Sequence, residues 1–359
     1  MSTLPPHLEQ ILDLARWAPS GDNTQPWAFE ILGDEQVLIH GFDTRDHVVY
    51  DLDGHASQLA IGALLETLTI AASSVGRRVD IQRRADTPDS QLLFDARFRP
   101  APELAADPLV PHIKTRVVQR RAMSTTALTA RQKSELADAL PAGYRVVWFE
   151  GARERWRMAK FMFDNAKIRL TIPEAYAVHR AVIEWGARYS EERIPDAAVG
   201  VDALTSRFMR WAMSSWRRIE FLNHYFLGHL PPRLQLDLLP GLRCGAHFML
   251  CADKPLTQLD GHIAAGRAMQ RFWLTADRLG LFIQPEMTPV IFTRYARRGI
   301  AFTRVERARR SADELNRQLC GMPGLHEADA LFFIGRIGCG PTPQARSLRK
   351  PLSRLMLGS

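Results

Sequence analysis

Apolar residues recur at helical spacing near the start of the chain. Leu8, Ile11, Leu12 and Ala15 share one face, and Pro5-Pro6 stand ahead of them as a start signal. This predicts a short amphipathic helix over 7–17, ended by Pro19. A turn-rich stretch follows from Ala18 to Trp27. Residues 28–32 and 36–42 then read as a strand pair around Gly33-Asp34. Asp53-Gly54-His55 opens a long helix to about Ser74, lined by the small residues Ala56, Ala60, Gly62, Ala63, Ala71 and Ala72. Residues 79–82 and 92–98 read as a second strand pair. Further on, the pattern predicts a helix over 129–140 capped by Thr129, a strand over 144–150, and mostly helix over 151–230. A strand over 245–251, a long helix over 260–279, a mostly helical stretch after Gln284-Pro285 and a last apolar strand over 330–337 complete the chain.

Two features organise these elements. Residues 100–111 carry four prolines and little periodicity, which marks a boundary. Asp260-Gly261-His262 repeats the Asp53-Gly54-His55 signal ahead of a helix of similar length. We therefore expect two lobes, 1–105 and 106–359, each a copy of one α+β unit, with a helical insertion over about 155–240. Copies joined in one chain can imitate a homodimer.

Composition narrows the function classes. The sequence has 359 residues, 46% hydrophobic and 24% charged, which excludes a disordered or fibrous chain. The formal net charge is +8, and 41 of the 47 basic residues are Arg. Arg forks suit phosphate and carboxylate, although an Arg excess can also simply be scattered over a surface. No run of like charges appears, which argues against a nucleic-acid partner. Cys244, Cys251, Cys320 and Cys339 form no C-x-x-C pair, so no metal site is expected. There is no secretory signal and no unbroken apolar run of about 18 residues, so we expect a cytoplasmic protein without a membrane partner.

The stretch Pro19-Ser20-Gly21-Asp22-Asn23 exposes a hydroxyl, an amide and backbone N–H groups. It can hydrogen-bond the edge of a planar heterocycle, or it can be a packing corner that ends a helix. The full segment Arg16-Trp17-Ala18-Pro19-Ser20-Gly21-Asp22-Asn23-Thr24-Gln25-Pro26-Trp27 closely resembles the flavin-contacting loop of the nitroreductase family. Three other segments agree with that resemblance. The stretch from Arg116 through Arg120 and Arg121 resembles the opener that grips the flavin mononucleotide (FMN) phosphate. Arg346 and Arg349 resemble the terminal clamp, and Gly280 to Glu286 resembles the loop whose backbone faces flavin N5.

The resemblance implies a duplicated nitroreductase-like α+β fold, with antiparallel-rich sheets flanked by helices. It implies one FMN held by Pro19, Ser20, Gly21, Asn23, Arg116, Arg120, Arg121, Pro285, Glu286, Arg346 and Arg349, with Arg116, Arg121 and Arg349 favoured at the phosphate. It further implies NAD(P)H as reductant and a planar or conjugated small molecule as acceptor. Because flavin carries the redox chemistry itself, no catalytic side chain is nominated. The molecule is expected as a monomeric pseudo-dimer or a homodimer. The insertion, with Trp156, Tyr176, Trp185, Trp211 and Trp216 among many Arg, reads as a lid over the pocket or as an ordinary helical cap packed on Met209, Trp211 and Met213. A lid that closed the flavin off would instead make the chain a flavin-sequestering protein without turnover.

Overall fold

The computed structural model describes residues 4–358, and within them the chain folds as two large, mainly antiparallel sheets with helices and two short parallel strand pairs. Helix α1 (Pro6–Ala15) buries Leu8, Ile11, Leu12 and Ala15. The first sheet follows from β1 (Trp27–Gly33), β2 (Gln36–Phe42), β3 (Arg77–Arg83) and β4 (Gln91–Pro100), with α2 (His55–Ser73) between β2 and β3. In β4, Leu92, Phe94, Ala96 and Phe98 face the core while the residues between them stay in contact with water. One face of this sheet is therefore packed and the other solvated.

The second sheet uses β5 (Tyr144–Phe149), β6 (Ala246–Ala252), β7 (Phe282–Pro285) and β8 (Leu331–Gly338). Before it, α3 (Ala130–Asp138) starts on a capping box between Thr129 and Gln132. Every residue of β6 and β8 is buried, because helices cover both faces. One cover is α8 (Leu259–Arg278), between β6 and β7. The other combines α4 (Gly151–Thr171), α9 (Thr288–Arg298) and α10 (Glu306–Cys320).

The sheets share a plan. The first runs β1-β2-β4-β3 and the second β5-β6-β8-β7, with all these neighbours antiparallel. Each has its long helix between the second and third strands. Those helices, α2 and α8, form the centre of the molecule and run side by side in the same sense. Gln58 meets His262, Thr67 meets Gln270, and Glu66 takes both Arg267 and Arg271. A Cβ on Gly62 would land on the Ile263 carbonyl, and one on Gly266 on the Leu59 carbonyl. Only glycine lets the backbones come this close. The His55 and His262 rings, from the two matching Asp-Gly-His openings, meet edge to face at 4.6 Å.

Three features depart from the sequence reading. The chain's last strand, β9 (Met356–Leu357), pairs parallel with β1 of the first sheet. Leu109, Ile113 and Leu355 also join the first core, so the second lobe does not hold everything after 106. The insertion occupies 150–245, the whole interval between β5 and β6. It holds α4, α5 (Pro173–Val182), α6 (Ala203–Ala212), α7 (Trp216–Tyr225) and a helical run over 230–242. Finally, α2 is long and apolar enough to cross a membrane by composition, but 89% of its apolar window is buried inside the protein.

Candidate functional site

A cavity of about 460 Å³ lies beside α2 and α8 under the 150–245 insertion. Its walls come from elements far apart in sequence. The N-terminal part supplies the 19–23 loop and Ala56, Leu59 and Ala60 of α2. The later part of the chain supplies Met269 and Trp273 of α8, the end of β7, Phe333 and Arg336 of β8, and the segment 345–349. The segment from Arg116 is laid against β7, where Val118 bridges Ile283 and the Gln119 N–H donates to the Ile283 carbonyl. The insertion forms the roof with Met162, Met209 and Met213.

The 19–23 loop is tightly bent. Asp22, Asn23 and Gln25 all have positive φ, at 48°, 63° and 50°. Asn and Asp tolerate this region better than most residues. The bend is held from outside: the Gln25 N–H donates to Ser20 Oγ, Gln25 Nε2 to the Glu191 carbonyl, and the Lys350 N–H to Gln25 Oε1. Such strain persists only where the surroundings over-determine it.

Three arginines define one end of the cavity. Arg349 donates from Nε to the Ala18 carbonyl and from Nη1 to Asn23 Oδ1. Arg116 donates to the Trp17 carbonyl and lies 4.5 Å over the Trp273 ring. Arg346 donates to the carbonyls of Lys114 and Arg116 and lies over Trp17. Arg116 is 4% exposed and Arg349 9%. Among the described residues no carboxylate pairs with any of the three. Burial, then the neighbouring Arg346, pulls Arg116 down to about 10, and burial and Arg116 pull Arg349 well below its usual range. The Nε atoms of Arg116 and Arg346 have no partner. Buried, mutually repelling cations with open donors are what an anion would satisfy.

Beside the cavity floor lies a buried ionic triad. Glu286 accepts from Arg336 Nη1 at 2.9 Å and faces His247 Nδ1 at 3.0 Å. His247 Nε2 faces the Gly241 carbonyl, so both ring nitrogens meet acceptors and the ring is an imidazolium. Burial alone would lower its pKa, but the Glu286 carboxylate, with Cys244, raises it to about 10. Arg336 Nε is left open. The roof adds neutral groups. Tyr50 Oη lies 2.8 Å from His179 Nε2, and burial, then Arg169, lowers His179 to about 3. Asn165 Nδ2 donates to Thr288 Oγ1, and its Oδ1 is unpartnered, as is Gln284 Oε1.

The cavity gathers Pro19, Ser20, Gly21, Asn23, Arg116, Arg120, Pro285, Glu286, Arg346 and Arg349, but not Arg121. Arg121 is exposed and donates to the Val201 carbonyl, so it tethers the insertion instead of joining Arg116 and Arg349. Arg120 lines the cavity yet donates to the Ala198 carbonyl in the roof. Asn23 differs from the reading of an open amide: its Nδ2 donates to the Glu191 carbonyl and its Oδ1 holds Arg349, so it positions that arginine. The Glu286 N–H is taken by the Ile334 carbonyl and Pro285 has none. The amides of Met287 and Thr288, at the N-terminus of α9, remain for a ligand at that wall. Trp211 is half exposed and is not core packing. Of the Glu286–His247–Arg336 triad, only Glu286 stands among the residues the sequence nominates. The signal for the other two was a lone charged residue inside each of two apolar strands, His247 in Ala246–Ala252 and Arg336 in Leu331–Gly338.

No family model matches the sequence, and no curated protein matches it. Among solved structures the chain is similar to the nitroreductase-like family protein from Bacillus cereus, at 13% identity and a TM-score of 0.35, over 70% of this chain and 95% of that one.

Proposed function

We propose that the cavity binds one FMN per chain and that the protein is an FMN-dependent oxidoreductase with a duplicated, nitroreductase-like fold. One observation carries this: two buried arginines and a half-buried third, none paired with a carboxylate among the described residues, at one end of a cavity large enough for a cofactor. Arg116, Arg346 and Arg349 would hold the phosphate through forked, charge-assisted bonds. Three findings support the rest of the reading. They are the resemblance of the 16–27 loop, the open side-chain atoms around the cavity, and the shared strand order of the two sheets.

When bound, flavin would accept a hydride from NAD(P)H and return electrons to a planar or conjugated small molecule. The chain's own groups do the remaining work. Trp273 and the methionines of the roof exclude water. The triad keeps fixed, net positive charge beside the floor, which favours an anionic reduced ring. Tyr50 and His179 stay neutral and offer hydrogen bonds to an uncharged substrate. One site per chain is supported by the character of a second cavity, about 310 Å³, which is lined by Asp107, Glu135 and Asp138 together with Arg271 and Arg278, the latter held by Glu135. Its Arg271 is already paired with Glu66 and Asp107. Acidic walls repel phosphate.

The test is the visible spectrum of the purified or FMN-reconstituted protein before and after anaerobic NADPH. One FMN per chain that bleaches supports the oxidoreductase. The roof over the cavity favours a second reading, flavin held without turnover, and that reading expects flavin that yields to dithionite but not to NADPH. A chain that takes up no FMN overturns both.

A further inference from the structure

The insertion carries a surface that neither the core nor the cavity uses. Leu204, Phe208 and Trp211 stand on one stripe of α6, at 76%, 53% and 50% exposed. Phe221 and Tyr225 stand on α7, followed by Phe226 and Leu227, all between 55% and 68% exposed. These seven form contiguous groups: Phe208 packs on Trp211, and Phe221 on both Tyr225 and Phe226. Leu227 has a φ of 50°, a strained conformation for a leucine, and it leaves the side chain in water at a loop tip. Contiguous exposed apolar patches on soluble chains mark interaction sites.

The charges interleaved with this patch say what covers it. Arg207, Arg210, Arg217 and Arg218 are exposed on the same two helices, and none makes a salt bridge among the described residues. Arg218 lies 5.0 Å over the Trp211 ring, joining α7 to α6. Glu220 is the only acid within α6 and α7, and Asp202 just ahead of α6 is occupied in capping it. A second copy of this chain would bring the same unpaired arginines face to face. Nucleic acid would use the arginines and aromatics, but it offers nothing to Leu227 or to Leu204, the most exposed of the set. Aromatic and aliphatic tips ringed by arginine suit the headgroup boundary of an anionic bilayer. We propose that α6 and α7 form a docking face for an anionic phospholipid surface. Met209 of α6 and Met213, which caps its end, line the cavity, so docking seats the roof of the site on the membrane. The sequence alone gave no reason to expect a membrane partner, because the face is built by two short helices and not by one long apolar run. The proposal stands independently of the flavin reading.

The test is flotation of the full-length protein with vesicles of phosphatidylcholine alone and of equimolar phosphatidylcholine and phosphatidylglycerol. Expected are flotation with the anionic vesicles only, weakening with salt, and quenching of tryptophan fluorescence by brominated lipid that Trp211→Phe reduces. Arg207→Gln and Arg210→Gln should each weaken partitioning roughly fivefold. Phe208→Ser with Phe226→Ser should abolish flotation, with an unchanged circular dichroism spectrum showing that the variant folds. Absence of flotation with anionic vesicles overturns the proposal. So does flotation that survives all these variants, since it then comes from the overall +8 charge. A dimer lost on Phe208→Ser, or retention of a single-stranded oligonucleotide without flotation, would assign the face to a second copy or to nucleic acid instead.

Discussion

Arg349 holds a buried positive charge against three neutral acceptors, on Ala18, Asn23 and Leu348, and three like-charged neighbours, Arg116, Arg346 and Arg16. A structural arginine loses stability when truncated, whereas an arginine waiting for an anion does not. Arg349→Ala should therefore raise the FMN dissociation constant at least about tenfold, one charged hydrogen bond's worth, while leaving the melting temperature of the FMN-free protein unchanged or higher. Titration by flavin fluorescence and thermal unfolding check both halves. Asn23→Ala should act through Arg349 and weaken FMN less. Tyr50→Phe should leave FMN affinity intact and change KM or kcat for the acceptor. His247 makes a pH prediction. Its folded pKa, about 10, lies above the ordinary value of 6.5, so its contribution is fully present below about pH 6.5 and is lost as pH rises through 10. Urea unfolding between pH 7 and 10 should show stability falling more steeply in the native sequence than in His247→Gln. An equal slope would mean that the ring is neutral.

At the scale of elements, the sequence was legible where one face is apolar and the other wet. Helix α1 and strand β4 follow their patterns residue by residue. The Asp-Gly-His openings also proved informative, since they bring His55 against His262. Legibility failed where a contact joins distant segments. Nothing near Asn23 announces that Arg349 will take its amide, and Arg121 looks locally the same as Arg116. Tertiary placement alone buries one and exposes the other. The crossing of α2 and α8 is the element with least room to vary. Gly266→Ala places a methyl on the Leu59 carbonyl and should cost roughly 2–3 kcal/mol by urea denaturation, as overpacking does. An unchanged midpoint would show that the helices can part without loss.

For the whole molecule, the strand that completes the first sheet comes from far along the chain: β9, too short to be read from pattern, pairs with β1. Ending the chain after Pro351 removes Leu352, Leu355 and Met356 from the first core and uncovers the edge of β1. Such a chain keeps Arg346 and Arg349, yet it should melt at a lower temperature and aggregate, as exposed sheet edges do. Light scattering during a thermal ramp checks this.

That strand also sets an order of events during synthesis. The strands of the first sheet over 27–100 leave the ribosome well before its outer edge can close, which waits until residues 356–357 have been made. The first half must therefore persist as an incomplete unit while the roof and second sheet are translated. Closure of the cavity and completion of the first sheet then arrive together, since the segment that carries Arg346 and Arg349 is the same one that delivers Met356 to β1.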